Sequence, residues 1–185
     1  MSAHDRERHR RRRWTWVVLC WLAFASPVIT ARAATPLWPG STDAARRMLA
    51  DSDTSPEVGV AIVASSDALP TAAASALLAD AATSRARAVP RAAMQRCAVR
   101  QIKACLPAAV AQWRIGLDPD PASRAAYLAV LRLFVDGSVA ALLVDGLHAP
   151  DPELRAAVAL SLFGAVIPDA ARSMIVSALT ARAAD

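Results

Sequence analysis

The sequence predicts an all-α fold: a short α-solenoid of about four antiparallel helix pairs behind an N-terminal signal peptide. Three observations carry this expectation. Residues after 33 are rich in Ala, Leu and Val, strong helix formers, while strand builders are scarce, with one Tyr and three Phe in the whole chain. Four prolines that each open an apolar helical pattern, Pro56, Pro90, Pro121 and Pro152, are spaced 34, 31 and 31 residues apart. A second helix start falls 14 to 17 residues after each of them, at Pro70, Pro107, Gly137-Ser138 and Pro168-Asp169. Proline suits the first helical position, where its missing N–H forfeits no hydrogen bond and its fixed φ already fits the helix. One period of about 31 residues therefore holds two helices, and a unit of that size cannot bury its apolar face alone, so neighbours must stack.

The elements follow in order. Residues 1–33 read as a secretory signal peptide: an arginine-rich start, a run of about a dozen apolar residues from Trp14 to Ala25, a break at Pro27 and the small-residue site Ala31-x-Ala33. The apolar run is shorter than the roughly 20 residues that span a hydrocarbon core, which favours cleavage over anchoring. This segment also accounts for the net charge of +5, with seven arginines against two acidic residues, whereas residues 34–185 balance at fourteen of each sign. A basic balance confined to an export signal is no argument for nucleic-acid binding, and a membrane is implied only if that segment stays uncleaved. Residues 34–55 form a linker with a short helix over 43–51, after Ser41-Thr42. The helical repeat domain then covers 56–182, with helices expected at 56–65 and 71–84, 90–104 and 107–116, 121–135 and 138–147, and 152–165 and 168–181.

The phrase D-P-E-L-R-A-A-V-A-L at residues 151–160 nearly copies D-P-A-S-R-A-A-Y-L-A at residues 120–129. Asp120 and Asp151 are placed to cap helices by accepting from backbone N–H groups that lack partners, at about 1 kcal/mol each. Pro121 and Pro152 take the first helical position. Arg124 and Arg155 follow four residues after the aspartate, within reach of it or of the aspartate in the adjacent unit. This D-P-x-x-R-A-A phrase, followed by alanines and leucines and repeated at about 31 residues, resembles the HEAT-like repeat family, including its short bacterial form, best over residues 118–180. Upstream the pattern departs: the Pro56 unit reads S-P-E-V-G, with Gly59 where arginine would stand, and the Pro90 unit reads V-P-R-A-A, with Ala93 there. The resemblance implies that second helices line a surface that binds another macromolecule. The same late passage is also similar to the ligand-domain helices of TetR-type repressors, but an export signal stands where such a protein carries its DNA-binding helices.

No catalytic arrangement is legible. His148 is the only histidine after residue 33, and neither a zinc-protease motif, a phosphate-binding glycine loop nor cysteine pairs at zinc spacing occur. Metal and cofactor sites are not expected. Acidic pairs such as Asp118 with Asp120, or Asp151 with Glu153, stand at helix starts, where capping and the helix dipole explain them. Cys97 and Cys105 leave two readings open, a disulfide favoured by an oxidising compartment or two buried thiols. Eight residues of unbroken helix would hold them about 12 Å apart, too far for a bond, so a disulfide requires the helix to open near Lys103. Leu106 before Pro107 is biased away from helical angles and would help.

Candidates for partner binding lie on second helices: Trp113 and Arg114, Asp145, and Arg172, with Trp and Arg being frequent interface anchors. The expected function is thus a non-catalytic binding or scaffold protein, exported to the periplasm or secreted, that binds another protein through a solenoid surface. The alternatives are a periplasmic enzyme inhibitor or immunity-type protein anchored by Trp113 and Arg114, or a TetR-like ligand-binding helical domain.

Overall fold

The computed structural model describes residues 39–86, 88–116 and 120–183; the signal segment expected over residues 1–33 lies outside them. Among the described residues the chain is all-helical, without a β-strand. The α-helices are α1 (Thr42–Ala50), α2 (Pro56–Ser65), α3 (Thr71–Ala81), α4 (Ala88–Arg100), α5 (Leu106–Arg114), α6 (Pro121–Leu131), α7 (Gly137–Leu147), α8 (Pro152–Leu162) and α9 (Asp169–Ala183). Short 3₁₀ turns end α2 and α6 and lead into α5.

Most starts are capped by short polar side chains. The Asp120 carboxylate accepts from the Ser123 amide at 3.0 Å, and that of Asp151 from the Glu153 amide at 2.9 Å. Asp136 accepts from both Ser138 and Val139, and Ser55 and Ser41 cap α2 and α1 in the same way. Pro56, Pro121 and Pro152 sit in the first turn of their helices, as their fixed φ favours.

The helices pack in an ordered way. α2 lies against α4, α4 against α6 and α6 against α8. On the other side α1 lies on α3, α3 meets the turn before α5, and α7 packs on α9. Helices of the two sets also pack across, α3 on α4, α5 on α6 and α7 on α8. The core is sealed between them by fully buried Ile62, Leu77, Leu78, Met94, Leu131, Leu143 and Ile175.

Gly59 explains one departure from the repeated phrase. A Cβ there would stand 2.5 Å from Cγ2 of Val89, so the absence of a side chain lets α2 approach α4 where an arginine could not fit. Gly59→Ala is expected to lower stability by about 1 kcal/mol in urea unfolding, because crowding against a stiff valine outweighs the better helix propensity of alanine. A stabilised variant would contradict that close approach.

α4 is where the chain deviates from its expected helix. It stops at Arg100 rather than Ala104, because Gln101 adopts φ 54° and Ile102 turns extended. The Ile102 amide donates to the Cys97 carbonyl at 2.9 Å while its side chain is buried, which closes the helix end around a left-handed residue that is here glutamine instead of glycine. The turn brings the Cα atoms of Cys97 and Cys105 to 6.4 Å, and the two are disulfide-bonded. Leu106, expected to leave helical angles before Pro107, is itself helical at φ −57° and ψ −44°. The opening that the bond requires comes from Gln101, and Leu106 is free to start α5.

Candidate protein-binding surface

Charged side chains tie successive helix pairs together at their ends. Arg91 of α4 reaches Asp120, the cap of α6, at 3.3 Å, and Arg124 of α6 reaches Asp151, the cap of α8, at the same 3.3 Å. Each capping aspartate thus serves two structures, its own helix start and the arginine of the preceding pair. Arg124 is buried along most of its length, whereas Arg155, its counterpart in α8, donates to the carbonyls of Ala149 and Pro150, both at 2.8 Å. Further contacts bind the first half of the chain: Arg46 to Asp80, Arg96 to Asp67, and Arg100 to the carbonyls of Ser66 and Leu69.

Arg124→Ala removes both the ion pair and the packed stem, and is expected to cost about 1–2 kcal/mol in chemical unfolding. Arg124→Met should recover the part that comes from packing. Equal losses in the two variants would assign the whole effect to charge.

Hydrogen bonds from Ser123 hold the Asp120 carboxyl below its ordinary 3.8, the hydroxyl contributing most, and those from Ser138 and Val139 do the same for Asp136. A carboxylate depressed in the folded state takes up a proton on unfolding. Its contribution is therefore complete above pH 3.8 and is lost as the pH falls from there through the lower folded value. Thermal unfolding followed from pH 6 to pH 2 should show a loss of stability on the acid side of about pH 4 that is smaller in an Asp120→Asn, Asp136→Asn variant, since asparagine still caps a helix without titrating. An identical acid slope in variant and parent would contradict this.

The residues proposed from sequence as partner contacts fall into three environments. Arg114 on α5 and Asp145 on α7 are exposed. Arg172 on α9 is exposed and paired with Asp169 at 2.8 Å. Trp113 is half-buried, and its ring lies over α7, where a Cβ on Gly146 would stand 2.6 and 2.7 Å from ring atoms. Trp113 thereby ties α5 to α7 at Gly146, the residue after Asp145. His148 ends α7, exposed, with Nδ1 2.9 Å from the Val144 carbonyl four residues earlier.

The sequence reading overlooked Arg91. Its signal was present, since an arginine directly after Pro90 projects from the helix start much as one placed further along, but the expected position was that of Ala93. It also overlooked a groove of about 800 Å³ between the α1–α2 turn and the α3–α4 turn, floored by Met48, Leu49, Gly59 and Val89 and rimmed by Arg46, Asp80 and Arg85. Gly59 is part of its lining, which only the packing reveals.

Among the described residues no group of three His, Cys, Asp or Glu side chains is placed to hold a metal ion, and no helix is long and apolar enough to cross a membrane. No protein-family model, curated protein or solved structure matches the chain.

Proposed function

We propose that this chain is an exported, non-catalytic scaffold: a short α-solenoid of the HEAT-like kind that binds another protein in the periplasm or outside the cell. The observation that carries this reading is the pair of matched links Arg91–Asp120 and Arg124–Asp151, because side chains that join one helix pair to the next at the same 3.3 Å are what tandem stacking requires. Ordered contacts from α2 through α4 and α6 to α8 support the same reading. Export rests on the arginine-rich and apolar start with its Ala31-x-Ala33 site, and a buried disulfide agrees with an oxidising compartment.

The binding surface proposed here is the α5–α7 face carrying Arg114 and Asp145, with Trp113 tying the two helices together. Mature chain beginning at Ala34, immobilised and exposed to an envelope extract, should retain a protein whose recovery falls when Arg114 and Asp145 are replaced by alanine. Retention unaffected by those replacements, together with turnover of a small substrate, would overturn the proposal. The mass of the exported protein checks the cleavage site independently.

A further inference from the structure

The groove between the α1–α2 turn and the α3–α4 turn has a floor and a rim of different chemistry. Its volume of about 800 Å³ falls within the roughly 300–1,000 Å³ of small-molecule sites, which combine an apolar bed with a few polar groups. The bed is laid by Leu49, Gly59 and Val89, all buried, with half-buried Met48 and Ala86. Four charged side chains line the same groove, Arg46, Asp51, Asp80 and Arg85. Arg46 on α1 and Asp80 on α3 satisfy each other in an ion pair. Asp51 and Arg85 form no ion pair among the described residues, and they stand one in each of the two turns, Asp51 at the end of α1 and Arg85 between α3 and α4. The Asp51 carboxylate accepts from the Asp53 amide through Oδ1 at 3.0 Å, which leaves Oδ2 uncommitted.

We propose that this groove binds a short peptide of about three residues with apolar side chains, held by its two free ends. Its α-amino group meets the Asp51 carboxylate, its terminal carboxylate meets the Arg85 guanidinium, and its side chains lie on Leu49 and Val89. The charge pattern selects this ligand. With two lining charges of each sign the groove favours neither an anion nor a cation, whereas a ligand carrying both signs matches the one unpaired charge of each kind. The spacing selects its length. A free amino acid carries both charges on one carbon, too close together for turns at the ends of α1 and α3, helices that pack on each other about 8–10 Å apart. Three extended residues set the two ends about 10 Å apart. An internal stretch of a protein chain has neither end and would leave Asp51 and Arg85 unmet. The site goes beyond the scaffold reading and does not rest on it, since no lining residue belongs to α5 or α7.

The test is titration calorimetry with trileucine at about pH 6.5, where a peptide α-amino group is charged, on the chain as isolated from its own cells. Trileucine is expected to bind, and blocking either end, by N-acetylation or by C-amidation, should weaken it roughly tenfold. Arg85→Gln should weaken trileucine by a similar, roughly tenfold factor and leave the C-amidated peptide unchanged. Asp51→Asn, which can still accept from the Asp53 amide, should weaken trileucine and leave the N-acetylated peptide unchanged. If Asp51→Asn lowers the melting temperature, the comparison at Arg85, an exposed side chain without an ion pair among the described residues, decides alone. No binding of trileucine, or binding that neither substitution alters, would overturn the proposal. So would equal affinity for the peptide blocked at both ends, which would make the groove a seat for an internal chain segment, and equal affinity for hexanoate or free leucine, which would remove the need for two separated ends. None of these outcomes touches the retention of a protein through Arg114 and Asp145, so the two readings fail separately.

Discussion

Trp113→Ala lowers the melting temperature of the mature chain by about 6–12 °C, a loss of about 3 kcal/mol for a domain of this size. The reason is the contact across two helices. The Trp113 ring fills the space above Gly146, whose missing side chain is what admits it, and Val158 of α8 closes the site from behind. Removing the indole leaves the space above Gly146 unfilled. The sequence allowed Trp113 to be an interface anchor, and melting distinguishes the two roles. An unchanged melting temperature with lost partner binding would make it an anchor, whereas the packing against Gly146 requires the thermal loss. Gly146→Ala offers a companion measurement: it should destabilise the parent by crowding the ring and cost less when Trp113 is already alanine.

Replacing both cysteines, Cys97→Ala with Cys105→Ala, is expected to cost about 2.5 kcal/mol in urea unfolding, the loop-entropy contribution of a bridge that closes roughly eight residues. The bond holds the left-handed turn at Gln101, so its loss also frees the end of α4 and the turn that packs on α3. Both cysteines are fully buried, so added thiol should reduce the native protein slowly and the unfolded protein at once. Reduction of the native state as fast as that of the unfolded state would contradict the burial, and a loss under about 0.5 kcal/mol would contradict a structural role.

Much of this fold was legible because proline and aspartate mark helix starts by local chemistry. Asp120-Pro121 and Asp151-Pro152 need only their own backbone to act, so the sequence placed α6 and α8 without tertiary information. The end of α4 was not legible in the same way. Gln101 takes a left-handed φ that glycine or asparagine would have announced, and only the closure around Ile102 and the Cys97–Cys105 bridge imposes it. Similarly, Gly59 stood out in the sequence only as a departure from the repeated phrase, and the close approach of Val89 to Gly59 and of Trp113 to Gly146 shows only in the packing. The candidate surface was legible in part. Arg114, Asp145 and Arg172 could be named as residues on second helices, but alanine-rich helices have a blurred apolar stripe, and which side faced outward depended on packing. Exposure within α9 was hidden for the same reason, since Val176 and Leu179 differ from buried Ile175 and Ala178 only in facing.

The central claim is that α2, α4, α6 and α8 lie side by side in chain order. Pulsed electron paramagnetic resonance on spin labels tests it most directly, with labels at Glu57, Ala122 and Glu153, exposed positions that each follow the proline opening α2, α6 and α8. Helices packed 8–10 Å apart predict about 20 Å between labels at 57 and 122, and about 30 Å between 57 and 153. A 57–153 distance equal to or shorter than the 57–122 distance would mean that the late helices fold back on the early ones, and the stacked account would fail.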